Sequence, residues 1–258
     1  MSALGAALRQ VRYENRAFWR NPPAAFFTFV FPLIFLVIFN LMFGNEEITI
    51  AGGATASGST FYVPAIVAMS VVNSCFTGLA MSLTVARDGG LLKRTRGTPL
   101  PVWAYFAGRV LHVTLVMLLL VVIVTAAGAL AYEVDVPTRT LPAALVALLV
   151  GGAAFCALGF AVCTVVPNAE AAPAVVNAIV LPLLFISDVF IPPDNAPTWL
   201  TDVANVFPVR HLSVALQAAF NPFERGYGFE WFDLAVVAAW GVLGAAIALR
   251  RFSWEPRR

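Results

Sequence analysis

Long apolar runs, unbroken by charge, dominate the pattern of this sequence of 258 residues. A helix that crosses a hydrocarbon layer about 30 Å thick needs about 20 mostly apolar residues. Six segments meet that requirement, and none carries Lys, Arg or Glu in its middle. They are, approximately, residues 24–43, 61–86, 110–132, 141–166, 172–191 and 231–249. The pattern therefore predicts an all-α integral membrane protein, a single domain over residues 1–258 with six transmembrane helices.

The composition agrees with this interpretation. Hydrophobic residues make up 60% of the chain and charged residues 12%, whereas soluble domains average about 45–50% and about 25%. So little charge cannot cover a surface in water, so most of the chain must face lipid. Its three cysteines all fall inside apolar runs. We expect them to be buried hydrophobes that form neither a disulfide framework nor a metal site.

The charged residues between the spans indicate the orientation. Thirteen of the 16 basic residues lie before span one, between spans two and three, or after span six. All three stretches share one side of an even-numbered topology, and ten of the 14 acids lie on the other side. The positive-inside rule then predicts cytoplasmic N- and C-termini. The net charge of +2 gives no reason to expect a nucleic acid partner.

Residues 1–23 precede the first span and contain a predicted amphipathic helix over residues 4–20. Arginines spaced by three or four residues share one helical face, and apolar residues that include Trp19 occupy the opposite face. The arginines are Arg9, Arg12, Arg16 and Arg20. A helix of this kind lies in the membrane interface. The simpler interpretation is a positive anchor that only sets the topology.

The loop between spans two and three carries an unusual leucine pair. Leu91 and Leu92 stand beside Lys93, Arg94 and Arg96, on a short predicted helix between glycines. We expect both leucines to be exposed as a docking knob for a cytoplasmic protein. A loop that only sets topology would need the charges and not the leucines. Thr98 and Pro99 predict the start of the next helix.

Residues 187–229, on the opposite side, are too many for a plain connection. Pro197 and Pro208 each stand where a helix could begin. Apolar residues follow at helical spacing after the second proline: Val209, Leu212, Leu216 and Phe220. We expect short outer helices before span six, one of which dips into the outer leaflet or caps a cavity.

The sequence lacks the motifs that mark several kinds of functional site. No Walker A loop and no His-Glu-x-x-His pattern is present, so the sequence offers no ATP site of its own. An intramembrane hydrolase would need a pair such as His112 with Ser70 or Ser82. The deep polar residues are amides and hydroxyls rather than charges, which argues against an ion-driven carrier. No energy source is therefore evident in the chain itself.

Two stretches resemble the ABC-2 family of ABC transporter permeases. One runs from Gly90 to Leu100 and is similar to the family's coupling-helix segment, and Trp103, Tyr105 and Gly108-Arg109 follow it. The other runs from Leu181 to Leu200 and looks like the end of the family's fifth span and its outer helix. At Arg87-Asp88-Gly89 the chain keeps one acid where many members carry a glutamate pair.

This resemblance implies a six-span subunit of a bacterial ABC exporter in the inner membrane. It would pair with a second permease subunit, identical or related, and dock on a separate ATPase that holds ATP and Mg²⁺. The exporter would move an amphiphilic drug, lipid or glycoconjugate outward. The alternatives are a membrane interaction or assembly protein without transport activity and an intramembrane hydrolase.

Two sets of residues follow as candidates. The ATPase-coupling set comprises Asp88, Leu91, Leu92, Lys93, Arg94 and Arg96. Spans one, two and five hold the deep amides and an aromatic-rich stretch, which predicts a lipophilic pathway with a few hydrogen-bonding positions. The pathway set comprises Phe35, Phe39, Asn40, Asn73, Asn177 and, near the outer end of span five, Asp188.

The predicted orientation can be tested by labelling in intact cells. A cysteine introduced by S57C should react with a membrane-impermeant thiol reagent, because residue 57 lies between spans one and two. A cysteine introduced by S2C should not react until the cells are lysed. The opposite labelling pattern would refute the orientation.

Overall fold

The computed structural model describes residues 3–49, 55–98, 100–187, 189–190, 197–224 and 226–254. Its eleven helices are α1 (Ala3–Trp19), α2 (Pro22–Phe43), α3 (Gly58–Val71), α4 (Leu79–Asp88), α5 (Leu91–Arg96), α6 (Val102–Tyr132), α7 (Leu141–Cys163), α8 (Ala172–Ile186), α9 (Thr198–Ala204), α10 (Pro208–Phe220) and α11 (Trp231–Arg251). A π-helical segment, Val72–Gly78, joins α3 to α4. Strands β1 (Glu47–Thr49) and β2 (Thr55–Ser57) form an antiparallel hairpin in which Ile48 pairs with Ala56.

The all-α membrane fold is confirmed. Five helical stretches are long and apolar enough to cross a membrane: α2, the continuous stretch Gly58–Asp88, α6, α7 and α11. They correspond to predicted spans one, two, three, four and six. The predicted fifth span corresponds to α8, which has 15 residues and is shorter than the about 20 residues of a full span.

One predicted helix start is wrong. The α6 helix begins at Val102 after an extended Pro101 (φ −61°, ψ 135°), and not at residue 98 or 99. Leu100 is disfavoured in the α conformation because it precedes a proline. Thr98 instead belongs to the end of α5, where its hydroxyl donates to the carbonyl oxygen of Thr95 at 2.7 Å.

The second span forms the centre of the bundle. Nearly every residue of α3 is buried, and α3 packs against α2, α6, α7 and α10. The α1 helix, the α5 helix and the chain after α11 lie together at one end of the bundle, because all three pack at the start of α6. We call this the terminal end. The β-hairpin lies at the opposite end, where Ile48 packs with Phe43, Phe61 and Tyr62.

Helices α9 and α10 form a hairpin that enters the bundle from the end opposite the terminal end. The predicted stripe on α10 is fully buried and packs against α3, α7 and α11. Leu212 lies so close to Gly151, near the middle of α7, that a Cβ on that glycine would be 2.7 Å from its Cδ1. The predicted helix after Pro208 is therefore present and buried in the bundle, and its dip into the outer leaflet stays a prediction.

The turn between α9 and α10 breaks the backbone hydrogen-bond ladder at a depth where water is scarce. Side chains complete the bonding. Trp240, near the middle of α11, donates from Nε1 to the carbonyl oxygen of Val206 at 2.9 Å. Arg210 donates to the carbonyl oxygen of Thr201 at 3.2 Å and to the side chain of Asn205.

His211 joins this turn to the start of α11. Its Nε2 lies 2.8 Å from the carbonyl oxygen of Asn205, and its Nδ1 lies 2.6 Å from Oδ1 of Asp233. A carbonyl oxygen only accepts, so Nε2 of His211 donates to Asn205, while Nδ1 faces the carboxylate of Asp233. Nearby, burial and the carboxylates of Asp233 and Glu224 raise the pKa of Glu230.

We predict that His211→Ala destabilises the helical hairpin, because it leaves the Asn205 carbonyl and the Asp233 carboxylate without partners. The expected loss is about 1–3 kcal/mol. Heating the purified protein with a thiol-reactive dye measures this loss, since Cys75, Cys156 and Cys163 are all buried and free. The exposed carboxylate of Asp202 supplies the control, Asp202→Asn, which should melt like wild type. Equal melting of the His211 variant would contradict the assignment.

Candidate functional site

The α5 helix has one exposed face and one buried face. Gly90 precedes it with a φ of 70°, a left-handed conformation that lets the chain turn back sharply from α4. Lys93, Arg94 and Arg96 are exposed, and Leu91 is 38% exposed. Leu92 is fully buried. The prediction that both leucines are displayed is therefore wrong for Leu92, because only one face of a two-turn helix can point away from the bundle.

Leu92 anchors α5 in a small core at the terminal end. It packs with Leu83, Ala86, Tyr105 and Cys163. Two aromatic residues that follow α11 complete this core: Phe252, whose ring centroid lies 5.2 Å from that of Phe106, and Trp254, at 5.4 Å from the same ring. Sequence reasoning missed this role of the C-terminal segment, although two aromatic residues directly after a span are a visible signal.

Arg87 and Asp88, at the end of α4, also point into the protein. Arg87 is 1% exposed and donates to the carbonyl oxygens of Cys163 at 2.7 Å, Val166 at 2.6 Å and Pro167 at 3.2 Å. Oδ2 of Asp88 accepts from the backbone N–H of Ala169 at 3.1 Å. Asp88 is half-buried, and one of its carboxylate oxygens is engaged within the chain.

The α1 helix exposes Arg9, Arg12, Arg16 and Arg20, as the sequence predicted. Trp19 is 52% exposed and stacks on Phe29, with ring centroids 5.7 Å apart. A third face, which sequence reasoning missed, packs α1 onto α6 through Ala6, Ala7, Gln10, Glu14 and Phe18. Small and polar residues at helical spacing were its only signal.

A polar network holds that third face to α6. Glu14 lies 3.8 Å from the guanidinium of Arg109, and Gln10 donates to Glu14 at 2.9 Å. Arg109 in turn donates to the hydroxyl of Tyr105 at 2.6 Å. Gly108 allows the close approach, since a Cβ there would be 2.6 Å from Cβ of Gln10. Tyr105 also packs in the core that holds Leu92, so α1 and α5 share one support on α6.

The predicted aromatic part of the pathway set is brought together. The rings of Phe35 and Phe39, on α2, each lie 5.4 Å from the ring of Phe190, which follows α8. Phe39 also stacks on Tyr62 of α3 at 4.9 Å. Span one, span two and the chain after α8 therefore meet in one aromatic cluster.

The predicted amides do not join that cluster as one group. Asn40 is buried and donates to the carbonyl oxygen of Leu36 in its own helix at 2.7 Å. Asn73 is partly exposed on the π-helical segment, and Asn177 is exposed on α8. Asp188 lies outside the described residues. The three amides therefore differ in exposure, and the Nδ2 group of Asn40 is already bonded within its own helix.

Asn73 is one of several polar residues along the second span. Asn73, Thr77 and Ser82 are each partly or fully exposed, and Gly78 lies exposed between them. Thr77 Oγ1 is a buried atom without a hydrogen-bond partner among the described residues. A stripe of amide and hydroxyl groups on an otherwise apolar span is unsuited to lipid contact.

Hydrolytic chemistry finds no support in the described residues. Ser70 donates to the carbonyl oxygen of Ile66 at 2.7 Å and Ser82 to that of Leu79 at 3.2 Å, each within its own helix. His112 is buried with its ring 5.8 Å from that of Phe18. Over the same residues, no group of three or more His, Cys, Asp and Glu side chains is placed to hold a metal ion.

Comparison with known proteins gives a consistent result. The family described as ABC-2 type transporter matches residues 9–221. The chain is 26% identical over 218 residues to the daunorubicin resistance ABC transporter permease protein DrrB1 of Streptomyces coeruleorubidus, which covers 83% of this chain and 74% of that protein. It is also 24% identical over 153 residues to the probable multidrug ABC transporter permease YbhR of Escherichia coli K12, covering 59% of this chain and 41% of YbhR.

Proposed function

The chain belongs to the ABC-2 type transporter family, and we propose that it is one of two permease subunits of an exporter that a separate ATPase drives. As a member of the family it is a multi-pass membrane subunit of an ABC transporter. The exposed face of α5 carries the proposal, because it displays one leucine and three cations on a helix that the bundle holds from behind.

The partner of this face is an ABC ATPase. Leu91 would enter an apolar notch, and Lys93, Arg94 and Arg96 would meet carboxylates at its rim. Leu92 gives the small helix a fixed orientation, which reduces the entropy lost on binding. Glu14 is paired with Arg109 and Asp88 with a backbone N–H, so neither carboxylate neutralises the exposed cations of α5.

The ATPase supplies the energy. It would hold ATP and Mg²⁺, for which this sequence has no Walker A loop. Closure of two ATPases around ATP would displace α5 and, through the shared support on α6, the interfacial helix α1. The excess of basic residues on this side supports a cytoplasmic position for the exposed face of α5, and the proposed location is the inner membrane of a bacterial cell.

A second permease subunit, identical or related, completes the pathway. Asn177 is exposed on α8, and Asn73, Thr77 and Ser82 are polar residues of the second span that are at least partly exposed. Polar groups in hydrocarbon are costly unless another protein surface or a water-filled cavity receives them. Two subunits of this kind would enclose such a cavity between their second and fifth spans.

The cargo is an amphiphile such as a drug, a lipid or a glycoconjugate, and it moves outward. The proposed pathway offers aromatic rings from Phe35 and Phe39 and neutral hydrogen-bonding groups from Asn73 and Asn177. An inorganic ion would need charged side chains or rings of carbonyl oxygens, whereas these four residues supply no charge and only two amide oxygens. Asp188, near the outer end of the fifth span, would favour the release of a cation. The names of both relatives refer to drugs, which supports this class of cargo.

Docking is tested by co-purification of the ATPase with the permease. Leu91→Asp should reduce the ATPase affinity at least about tenfold, because a carboxylate would enter an apolar notch. Joint replacement of Lys93, Arg94 and Arg96 by glutamine should weaken binding and reduce its salt dependence, since exposed ion pairs contribute about 0.2–1 kcal/mol each. Leu92 is unsuitable for this test because its replacement would open the core.

The matched control is Arg250→Gln, which removes an exposed cation at the end of α11. It should bind the ATPase like wild type. Labelling of an added S57C cysteine verifies that each variant keeps its orientation. Wild-type binding by the Leu91 and triple variants would mean that the loop only sets topology, and a wild-type chain that binds no ATPase would favour a membrane interaction protein without transport.

The pathway is tested with amphiphiles that stimulate the partner ATPase. Asn73→Leu and Asn177→Leu should each change which compounds stimulate hydrolysis. Half-maximal concentrations should shift about 5- to 30-fold where a hydrogen bond of about 1–2 kcal/mol to the compound is lost. Asn40→Leu is the control, since that amide bonds within its own helix. If both pathway variants keep the wild-type profile, these amides do not contact cargo.

A further inference from the structure

Two adjacent charged residues remain unexplained by docking and by the pathway. Arg87 and Asp88 end α4, two residues before α5 begins; Arg87 is buried and Asp88 is half-buried. Both bind the chain that connects α7 to α8. This connection runs from Cys163, the last residue of α7, to Ala172, the first residue of α8.

Arg87 binds the beginning of the connection between α7 and α8. Its guanidinium reaches one carbonyl at the end of α7 and two in the following residues, at 2.6–3.2 Å. No carboxylate lies within 4 Å of it among the described residues, so its positive charge is balanced by the negative end of the α7 helix. The planar, rigid fork of an arginine holds several carbonyls at once, which a lysine cannot reproduce.

Asp88 binds the same connection closer to α8. Its carboxylate accepts from the N–H of Ala169, three residues before α8 begins. The two neighbouring side chains therefore span the connection from the end of one helix almost to the start of the next. The α4 and α8 helices also pack directly against each other.

Leu92 provides a third contact from α5 itself. It is fully buried against Cys163, the residue whose carbonyl oxygen accepts from Arg87. The hydroxyl of Thr84 lies 3.5 Å from Sγ of the same cysteine. The end of α7 is therefore held by Thr84 and Arg87 of α4 and shares a buried cluster with Leu92 of α5.

We infer that Arg87 and Asp88 form a latch that transmits the displacement of α5 to the start of α8. This inference rests on the proposed function, in which the ATPase moves α5. Arg87 and Asp88 are positioning residues that touch neither the ATPase nor the cargo. The helix that receives the motion carries Asn177, so the latch couples nucleotide binding on one side to the cargo pathway on the other.

The latch is tested in the wild-type complex with its co-purified ATPase, reconstituted in lipid vesicles. The variants are Arg87→Gln, Arg87→Lys, Asp88→Ala and Asp88→Asn, with Arg250→Gln as the matched control. Each is compared for ATPase binding, basal ATP hydrolysis and stimulation by daunorubicin, a cationic amphiphile. A cysteine introduced by A174C at the exposed start of α8 reports motion through its rate of thiol modification, because the native cysteines are buried.

In the wild-type complex, ATP should change the modification rate at position 174. Arg87→Gln and Asp88→Ala should keep ATPase binding and basal hydrolysis, while the ATP-dependent change in rate and the stimulation fall at least about fivefold. Asp88→Asn should behave like wild type, because its carboxamide oxygen still accepts from the N–H of Ala169. Arg87→Lys should show a reduced ATP-dependent change and reduced stimulation, because lysine keeps the positive charge but lacks the planar guanidinium that binds several carbonyl oxygens.

The possible failures can be told apart. If the wild-type complex responds to ATP and daunorubicin and the Arg87→Gln and Asp88→Ala variants respond equally, the latch is overturned and the proposed function stands. If all four variants lose binding, stimulation and thermal stability together, and Asp88→Asn is not spared, the residues are merely structural and the latch is again overturned. If the wild-type chain binds no ATPase, the proposed function fails and the latch fails with it.

Discussion

Every backbone polar group at membrane depth must find its partner within the protein, because hydrocarbon offers none. A continuous helix pairs its own backbone groups, so unpaired groups remain only where a helix ends, and other parts of the protein must bind them there. The turn between α9 and α10 is one such place: Arg210, His211 and Trp240 bind carbonyl oxygens at or beside it. The end of α7 is another, where the guanidinium of Arg87 takes the same role. Polar side chains in this apolar protein are concentrated where the backbone requires them.

The same constraint explains how α5 can present a defined surface. A helix of six residues is too short to be stable alone. Leu92 fixes it to a core built from four other parts of the chain, namely α4, α6, α7 and the segment after α11. The face that remains is Leu91 with three cations. The side chains of α5 that would bind a partner and the side chain that holds α5 in place therefore lie on opposite faces of the same short helix.

Elsewhere in the bundle, neighbouring helices approach each other closely at glycine residues. A Cβ on Gly241 of α11 would lie 2.8 Å from Cα of Ala154, and one on Gly159 of α7 would lie 3.0 Å from the carbonyl oxygen of Phe76. Glycines at these positions let α7 touch α11 on one side and the π-helical segment on the other. Close packing of this kind replaces the hydrophobic effect, which does not drive helices together in lipid. It also makes α7, whose end the latch holds, a central element of the bundle.

The sequence by itself determined the helical membrane fold, the presence of five long apolar helices, the exposed arginines of α1 and the apolar stripe of α10, because each follows from apolar length or helical period along the chain. Only the tertiary structure decided that Leu92, Arg87 and Asp88 point inward and that Asn40 bonds to its own helix. Periodicity states which residues share a face. It does not state which neighbour that face meets. The residues beside an arginine in the sequence do not show whether it will be buried, because burial depends on the carbonyl groups that folding brings to it.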